Sequence, residues 1–570
     1  MPNKANFVRR NNRLEKSGRA PAMKVNAAIA EILKREGLEY LVCYPRNGLI
    51  EAAAEAGIRP ILVRQERTGV HMADALGRIS CGDRVGVFAM QQGPGTENAF
   101  GGVAQAYAES VPLVVIPAGH PRAQSGVKPN FSATANFRNV TKSVEQITVP
   151  SMVPDAMRRA FSQAKNGRPG PTMVEVPVDL WEAEVPEPLV YEKTPRYRSA
   201  PDPKDVATVA AALVAAERPV IFAGQGIHYA KAWKQLQTLA ELLEAPVGTS
   251  NPGKSAFDET HPLALGAGST THSKQFHVML QKADLVFGIG CSWTATPFNM
   301  QMPKGKKMVH LTLDAADINK DIASSLALVG DAGLALDALI EEVRDRLKAK
   351  PRANLGATAR EVAALREEWL GTWMPRLTSN QTPLTPYRVI WDLLHTVDVA
   401  NTIVTHDSGS PRDQLVPFWQ CKTPRSYIGW GKSTQLGYGL GLAIGAKLAD
   451  PKKLCINVWG DAAIGFTGMD IETAARGNIP ILSILFNNSV MAAELNVMKY
   501  STDKYQSTAI GGNYADFAKA LGCYGERVTE PGAIVPAIKR ALAKINDGQP
   551  ALLEFITERQ SPRSSEVTAH

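Results

Sequence analysis

Nowhere is this 570-residue chain apolar for long enough to cross a bilayer. A span needs about 18 to 20 consecutive apolar residues, and even VPLVVIPAG, residues 111–119, gives way at once to His120, Pro121 and Arg122. No membrane partner is expected. Cysteine is scarce as well: Cys43, Cys81, Cys291, Cys421, Cys455 and Cys523 stand far apart, with no CxxC pair. That spacing offers neither a zinc site nor a disulfide framework, so a reducing, cytoplasmic location is expected. A strong excess of one charge is also missing. Sixty-three Lys and Arg against 55 Asp and Glu leave +8, with no long basic block, which argues against a nucleic-acid partner. The first 21 residues, MPNKANFVRRNNRLEKSGRAP, lack the apolar core of a secretory signal. They read as a flexible polar arm over 1–21, with a short organellar transit peptide as the alternative.

What is present is apolar material for several cores: 44% of the chain is hydrophobic, and at about 150 residues per domain the length suggests three or four domains. Helix-like segments such as VNAAIAEILKREG alternate with short apolar runs (YLVCYP, RVGVFAM, PLVVIPAG) that end in Gly, Pro or polar residues. This is the signature of α/β domains built on parallel sheets. Proline-rich stretches at 186–203 and toward 386 read as linkers. Three doubly wound domains of similar size are expected, over residues 22–185, 200–350 and 384–560. In the middle one, Gly224 and Gly226 follow a strand, but the third glycine of a dinucleotide fingerprint is missing and a tight strand-to-helix turn explains them.

The most informative stretch is GDAAIGFTGMDIETAARGNIPILSILFNN, residues 460–488. KLCINVW before it and IPILSILF within it are strand-like, and the segment around Met469 to Arg476 has helical spacing that stops at Gly477. A β-α-β crossover makes the two strands parallel and puts their C-terminal ends on one sheet edge. Asp461 and Asn488 should therefore meet. A carboxylate and an amide oxygen there, beside Ala462 and Ala463 at a helix start, suit a magnesium ion with positions left for phosphate oxygens.

Gly460-Asp461, a third residue, 24 intervening residues and Asn487-Asn488 resemble the thiamine diphosphate signature of the acetolactate synthase, pyruvate oxidase and 2-oxo acid decarboxylase family. Further passages in the family's order resemble it too: YPRNG from Tyr44, IRPILVRQE ending at Glu66, QGPGTEN from Gln92, THDSGS from Thr405, and STQLGYGLGLAIGAKLA from Ser433. The resemblance covers about Met23 to Glu558. It implies a pyrimidine-binding, a central and a diphosphate-binding domain in that order. It further implies that Asp461, the Asn488 side chain and the Val490 carbonyl hold Mg2+. Gly409, Ser410, Gly460, Ala462 and Ala463 would border the diphosphate, Leu436 would wedge the cofactor into a bent shape, and the Thr434 and Leu436 main chain would meet the pyrimidine, with Pro45 near by. Glu66, which alone reads as a helix-start acid, would protonate the pyrimidine ring. In this family that glutamate and the metal site come from different chains, so a homodimer is the smallest unit implied and a homotetramer is common.

Departures from the family pattern bear on the chemistry. Ala462 stands where the family usually has Gly, and Arg46 and Asn47 replace two small residues. The Arg46 guanidinium either grips a substrate carboxylate bidentately or turns out to solvent. SVMAAELNVMKY after Asn488 lacks the tryptophan with which acetolactate synthases select their second oxo acid, and GCSWTATPFNM lacks the Arg-Phe-Asp-like passage that commonly meets FAD, which argues against a flavin. Gln91 and Gln92 are candidates for substrate contact; His71 and His120 are candidates for proton transfer or for structure. The expected activity is decarboxylation of a 2-oxo acid with ligation of the acyl anion, acetolactate synthase-like. The alternatives are a lyase or simple decarboxylase acting on an acyl-CoA or anionic substrate, and a catalytically silent cofactor-binding relative.

Overall fold

The computed structural model describes residues 22–349, 352 and 356–565, so the arm expected over 1–21 lies outside the described residues. Three six-stranded, all-parallel sheets follow one another along the chain. The first contains β1 (Tyr40–Cys43), β2 (Arg59–Leu62), β3 (Gly86–Met90), β4 (Leu113–Gly119), β5 (Ser143–Gln146) and β6 (Pro171–Pro177), in the order β2-β1-β3-β4-β6-β5. The second contains β7 (Pro219–Ala223), β8 (Val247–Ser250), β9 (Ala264–Gly268), β10 (Leu285–Ile289), β11 (Lys307–Thr312) and β12 (Leu326–Val329), in the order β12-β11-β10-β7-β8-β9. The third contains β13 (Thr402–His406), β14 (Tyr427–Ile428), β15 (Leu454–Gly460), β16 (Leu482–Asn487), β17 (Tyr524–Val528) and β18 (Ala551–Ile556), in the order β14-β13-β15-β16-β18-β17. Central strands such as β3, β4 and β16 are buried along their whole length. Helices cover both faces of such a sheet, so its strands are continuous apolar runs.

The first and third sheets share one strand order, and both reverse direction of winding beside their first strand. In open α/β sheets that reversal leaves a crevice at the C-terminal strand ends. In the third domain it lies between β13 and β15, in the first between β1 and β3, and in the second between β7 and β10.

The first and third domains are welded by the helices Glu66–Ile79 and Tyr438–Ala449. A Cβ at Gly445 would lie 2.2 Å from the Met72 carbonyl oxygen, and one at Gly441 2.6 Å from the Cβ of His71, so only glycine permits this approach. Arg78 pairs with Asp74 of its own helix at 2.6 Å, both 1% exposed, and donates across the contact to the Gly429 carbonyl and the Tyr438 hydroxyl. The stretch expected as a linker at 186–203 has no regular structure over most of its length, but it is packed. Tyr191 and Thr194 donate to the buried Glu36, which also pairs with Lys165 at 2.6 Å. In the second connection a 21-residue helix, Ala357–Leu377, precedes the irregular residues before Pro386. All six cysteines are free and buried, and among the described residues no helix is long and apolar enough to cross a membrane.

Candidate active site

The switch-point crevice of the third domain opens into a cavity of about 870 Å³. Ser408, Gly409 and Ser410 after β13, Thr434 and Leu436 before the helix Tyr438–Ala449, and Gly460 to Ala463 after β15 all border it. Asn488 and Val490 after β16 close one side. The register explains the meeting of the last two groups: Gly460 pairs with Phe486 across parallel strands, so both chains leave the sheet side by side. The Asp461 Oδ2 accepts the Ser489 N–H at 2.8 Å, and Oδ1 accepts the Ala462 N–H at 2.9 Å. The helical segment expected around Met469 to Arg476 is preceded by a helix that begins at Asp461 and runs to Thr467. A 3-10 turn at Gly468–Asp470 then breaks it before Ile471–Arg476.

The two adjacent asparagines divide their work. The Asn487 carboxamide donates to the buried Glu554 at 2.7 Å and accepts from Ser489, fixing the turn. Asn488 faces the cavity, its Oδ1 accepting the Val490 N–H at 3.2 Å. Asp461, Asn488 and the Val490 carbonyl thus present a carboxylate, an amide and a peptide oxygen, the hard donor set that magnesium takes alongside phosphate oxygens. Gly409 stands at φ 80°, and a Cβ there would meet no atom within 4 Å, so its backbone is open to a close approach. The residues present therefore fit a magnesium diphosphate.

Two features of this wall were not legible in the sequence. Asp407 is fully buried, and its carboxylate accepts the N–H groups of Ser408, Gly437 (2.9 Å) and Gly439 (3.0 Å). It ties the loop after β13 to the loop that carries Leu436, and burial lifts its pKa to about 6. The C-terminal segment 559–563 also lines the cavity. The Arg559 carbonyl accepts from Asn488 at 3.2 Å, the Pro562 carbonyl from the Tyr387 hydroxyl at 2.5 Å, and Ser564 donates to the His272 carbonyl at 3.1 Å. Polar residues at a chain end carry no periodic signal, so only the folded contacts reveal this role.

In the first domain the C-terminal sheet edge gathers Tyr44, Pro45 and Arg46 after β1, Glu66 after β2, and Gln91 and Gln92 after β3. Glu66 is 4% exposed, in the first turn of its helix, and its Oε2 accepts from the Asn98 amide at 3.2 Å. Burial pushes its pKa up against the lowering effect of its own backbone N–H and Asn98. A carboxyl poised in this way can hold and release a proton at a ring nitrogen. A Cβ on Gly95 would press on Gln91 at 2.8 Å and on the Glu66 carboxyl at 3.3 Å, so glycine there makes room for both. Arg46 stands at φ 68° and is exposed, and among the described residues its guanidinium makes no ion pair or hydrogen bond. Asn47 is different. Its buried amide donates to the Met90 and Ile116 carbonyls at 2.9 Å each, pinning the turn to β3 and β4. Glu66, Pro45, Arg46 and Gln92 do not border the third-domain cavity within one chain.

His71 does not belong with these residues. It is fully buried in the weld between the first and third domains, packs edge-on against Tyr438 at 4.8 Å, and is held neutral with its pKa pushed down to about 3 by burial. Of the two roles considered for it, this placement supports the structural one.

The middle-domain crevice holds a separate cavity of about 560 Å³, bordered by Gln225, Gly290, Trp293, Lys306 and Asp314. Its order β9-β8-β7-β10-β11-β12 is that of dinucleotide-binding sheets. Gly224 and Gly226 nevertheless have a packing reason: a Cβ on either would lie within 2.7 Å of Gly290 atoms in the facing turn.

Three family models match the chain. The N-terminal TPP binding domain of thiamine pyrophosphate enzymes matches residues 23–147, their central domain 206–339, and their C-terminal TPP binding domain 407–555. Among curated relatives, the chain is 29% identical over 566 residues to a probable acetolactate synthase large subunit of Methanococcus aeolicus, covering 94% of this chain and 92% of the relative. It is 28% identical over 570 residues to the glyoxylate carboligase of Escherichia coli O157:H7, covering 94% and 93%. It is 26% identical over 530 residues to the acetolactate synthase isozyme 3 large subunit of Escherichia coli K12, covering 90% and 91%.

Proposed function

Because this chain belongs to the thiamine pyrophosphate enzymes, we propose that it decarboxylates a 2-oxo acid and ligates the acyl anion to a second carbonyl compound, in the manner of acetolactate synthase and glyoxylate carboligase. The observation that carries this reading is the cavity at the β13/β15 switch point, bordered together by Asp461, Asn488, Val490, Gly409, Ser410, Thr434 and Leu436. Asp461, the Asn488 side chain and the Val490 carbonyl would hold Mg2+, with Gly460, Ala462 and Ala463 beside the diphosphate. The bound cofactor supplies a carbon nucleophile and an electron sink. Leu436 would pack against it, Glu66 would hold the proton exchanged at its pyrimidine, and Pro45 and Gln92 would stand beside Glu66 at the same sheet edge. Since Glu66 lies outside the cavity of its own chain, a second copy supplies it, in a homodimer or a homotetramer of such dimers.

Titration of thiamine diphosphate into metal-stripped protein by calorimetry, with and without magnesium, tests the site, and carbon dioxide release from a panel of 2-oxo acids tests the reaction. Magnesium-dependent binding followed by a new carbon–carbon bond is expected. Release of carbon dioxide with only an aldehyde as product would leave a simple decarboxylase, and no cofactor binding would overturn the enzyme reading. A visible absorbance band of the flavin type in the purified protein would restore FAD, which the middle-domain passage argues against.

Arg46 favours the second reading, an anionic substrate. It occupies a left-handed backbone conformation that costs about 1 kcal/mol in a residue other than glycine, on a turn pinned by Asn47. Arg46→Ala is expected to raise KM about 10-fold or more for an oxo acid with a second anionic group while changing kcat little; an unchanged KM for every acid tested would assign the side chain to solvent. Ending the chain before Arg559 is expected to speed cofactor loss in a dilution assay, because residues 559–563 line the cavity and the Arg559 carbonyl accepts from Asn488.

A further inference from the structure

One carboxylate of the first domain is fixed to the third-domain loop that carries Thr434 and Leu436. Glu109 directly follows the helix Pro94–Ala108 and is 2% exposed. Its Oε1 accepts three consecutive backbone N–H groups: Gly431 at 3.0 Å, Lys432 at 2.6 Å and Ser433 at 3.3 Å. Successive N–H groups converging on one oxygen form a backbone nest for an anion, here filled by a side chain from another domain. A charge this deep is tolerated only where it is bonded. Its second oxygen, Oε2, has no hydrogen-bond partner among the described residues, so the bonding capacity that Glu109 uses goes to this loop.

The same helix reaches the loop twice more. The Gly101 carbonyl accepts from the Gln435 amide at 2.6 Å, and the Ala108 carbonyl from the Lys432 ammonium at 3.0 Å. Near its other end the same helix presents Asn98 to Glu66. The far side of the loop is held from within the third domain, by Asp407 at Gly437 and Gly439. Thr434 to Leu436 therefore spans two carboxylate clamps, one in its own domain and one in the first. Welding of the two domains does not need Glu109, since Arg78, Asp74 and Tyr438 already provide it.

We propose that Glu109 is a positioning residue for the cofactor, setting the height and angle at which Thr434 and Leu436 meet it. This rests on the reading of those two residues as cofactor contacts. In Glu109→Gln the side chain keeps its size but loses its charge, and charge-assisted bonds are roughly twice as strong as neutral ones. The expected result is a Kd for thiamine diphosphate with magnesium raised about 10-fold. The kcat should also fall at saturating cofactor, with the KM for oxo acid and the melting temperature close to wild type. A purely structural role would instead lower the melting temperature and leave the Kd of the folded protein unchanged, which overturns the proposal. Should Glu109→Gln not fold, Gln435→Leu decides: it cuts the tether from the same helix to the same loop, and a raised Kd supports the proposal while a wild-type Kd overturns it. Failure of the wild type to bind thiamine diphosphate would overturn the reading of the site itself, and this inference with it.

Discussion

Asp461→Ala protein is expected to bind thiamine diphosphate no more tightly with magnesium than without it. The expected donor set holds one charged ligand, and Asn488 and Val490 contribute only dipoles. Removing even an outer-shell partner costs a metal site about 10- to 100-fold, so loss of the sole carboxylate should exceed about 100-fold. Calorimetry on metal-stripped protein reads this directly. Folding should survive, because the two N–H groups that Asp461 accepts, from Ala462 and Ser489, lie in a turn and a helix start beside an open cavity, where water replaces the lost acceptor. Asp461→Asn keeps the size of the side chain and an acceptor for one of the two groups, and it separates the two effects: wild-type melting with lost magnesium dependence assigns Asp461 to the metal. Magnesium-dependent binding that persists in both variants would put the metal elsewhere.

How much of this site could be read beforehand depends on how local its logic is. Asp461 and Asn488 were legible because parallel strands joined by a helix must leave the sheet on one edge, and the strand signals on either side fixed the register to within a residue. The three α/β domains were legible for the same reason, as buried parallel strands are continuous apolar runs. Asp407 and Glu109 were not. Each is an acid whose partners are backbone N–H groups, and those of Glu109 lie more than 320 positions away, so no spacing announces them. His71 stands apart from Glu66 for a local reason: five residues further along the helix, it is rotated by about 140°. That turns it toward Tyr438 and away from the edge where Glu66 sits. The proline-rich stretch at 186–203 was legible as irregular chain but not as packed chain, since Tyr191 and Thr194 find their buried partner, Glu36, about 155 residues back.

Glu66→Gln is expected to bind thiamine diphosphate and magnesium like the wild type and to turn over about 100- to 10,000-fold more slowly, the range for loss of a positioned general acid or base. The substitution keeps the shape of the side chain and the hydrogen bond with Asn98, while removing the proton that a buried, raised-pKa carboxyl can exchange. A variant that loses binding and activity together would mark Glu66 as structural. The sharper experiment mixes two dead proteins. If Glu66 serves the cavity of a second copy, a heterodimer of Glu66→Gln and Asp461→Ala chains has one site carrying both defects and one carrying neither. Unfolding and refolding the two variants together at equal amounts forms such heterodimers in half of the population, so about a quarter of wild-type activity should return. Refolded separately and then combined, they should remain inactive. Activity that never returns, from dimers that exchange chains freely, would mean that Glu66 and Asp461 act within one chain, and that the first domain must move to close over its own cavity.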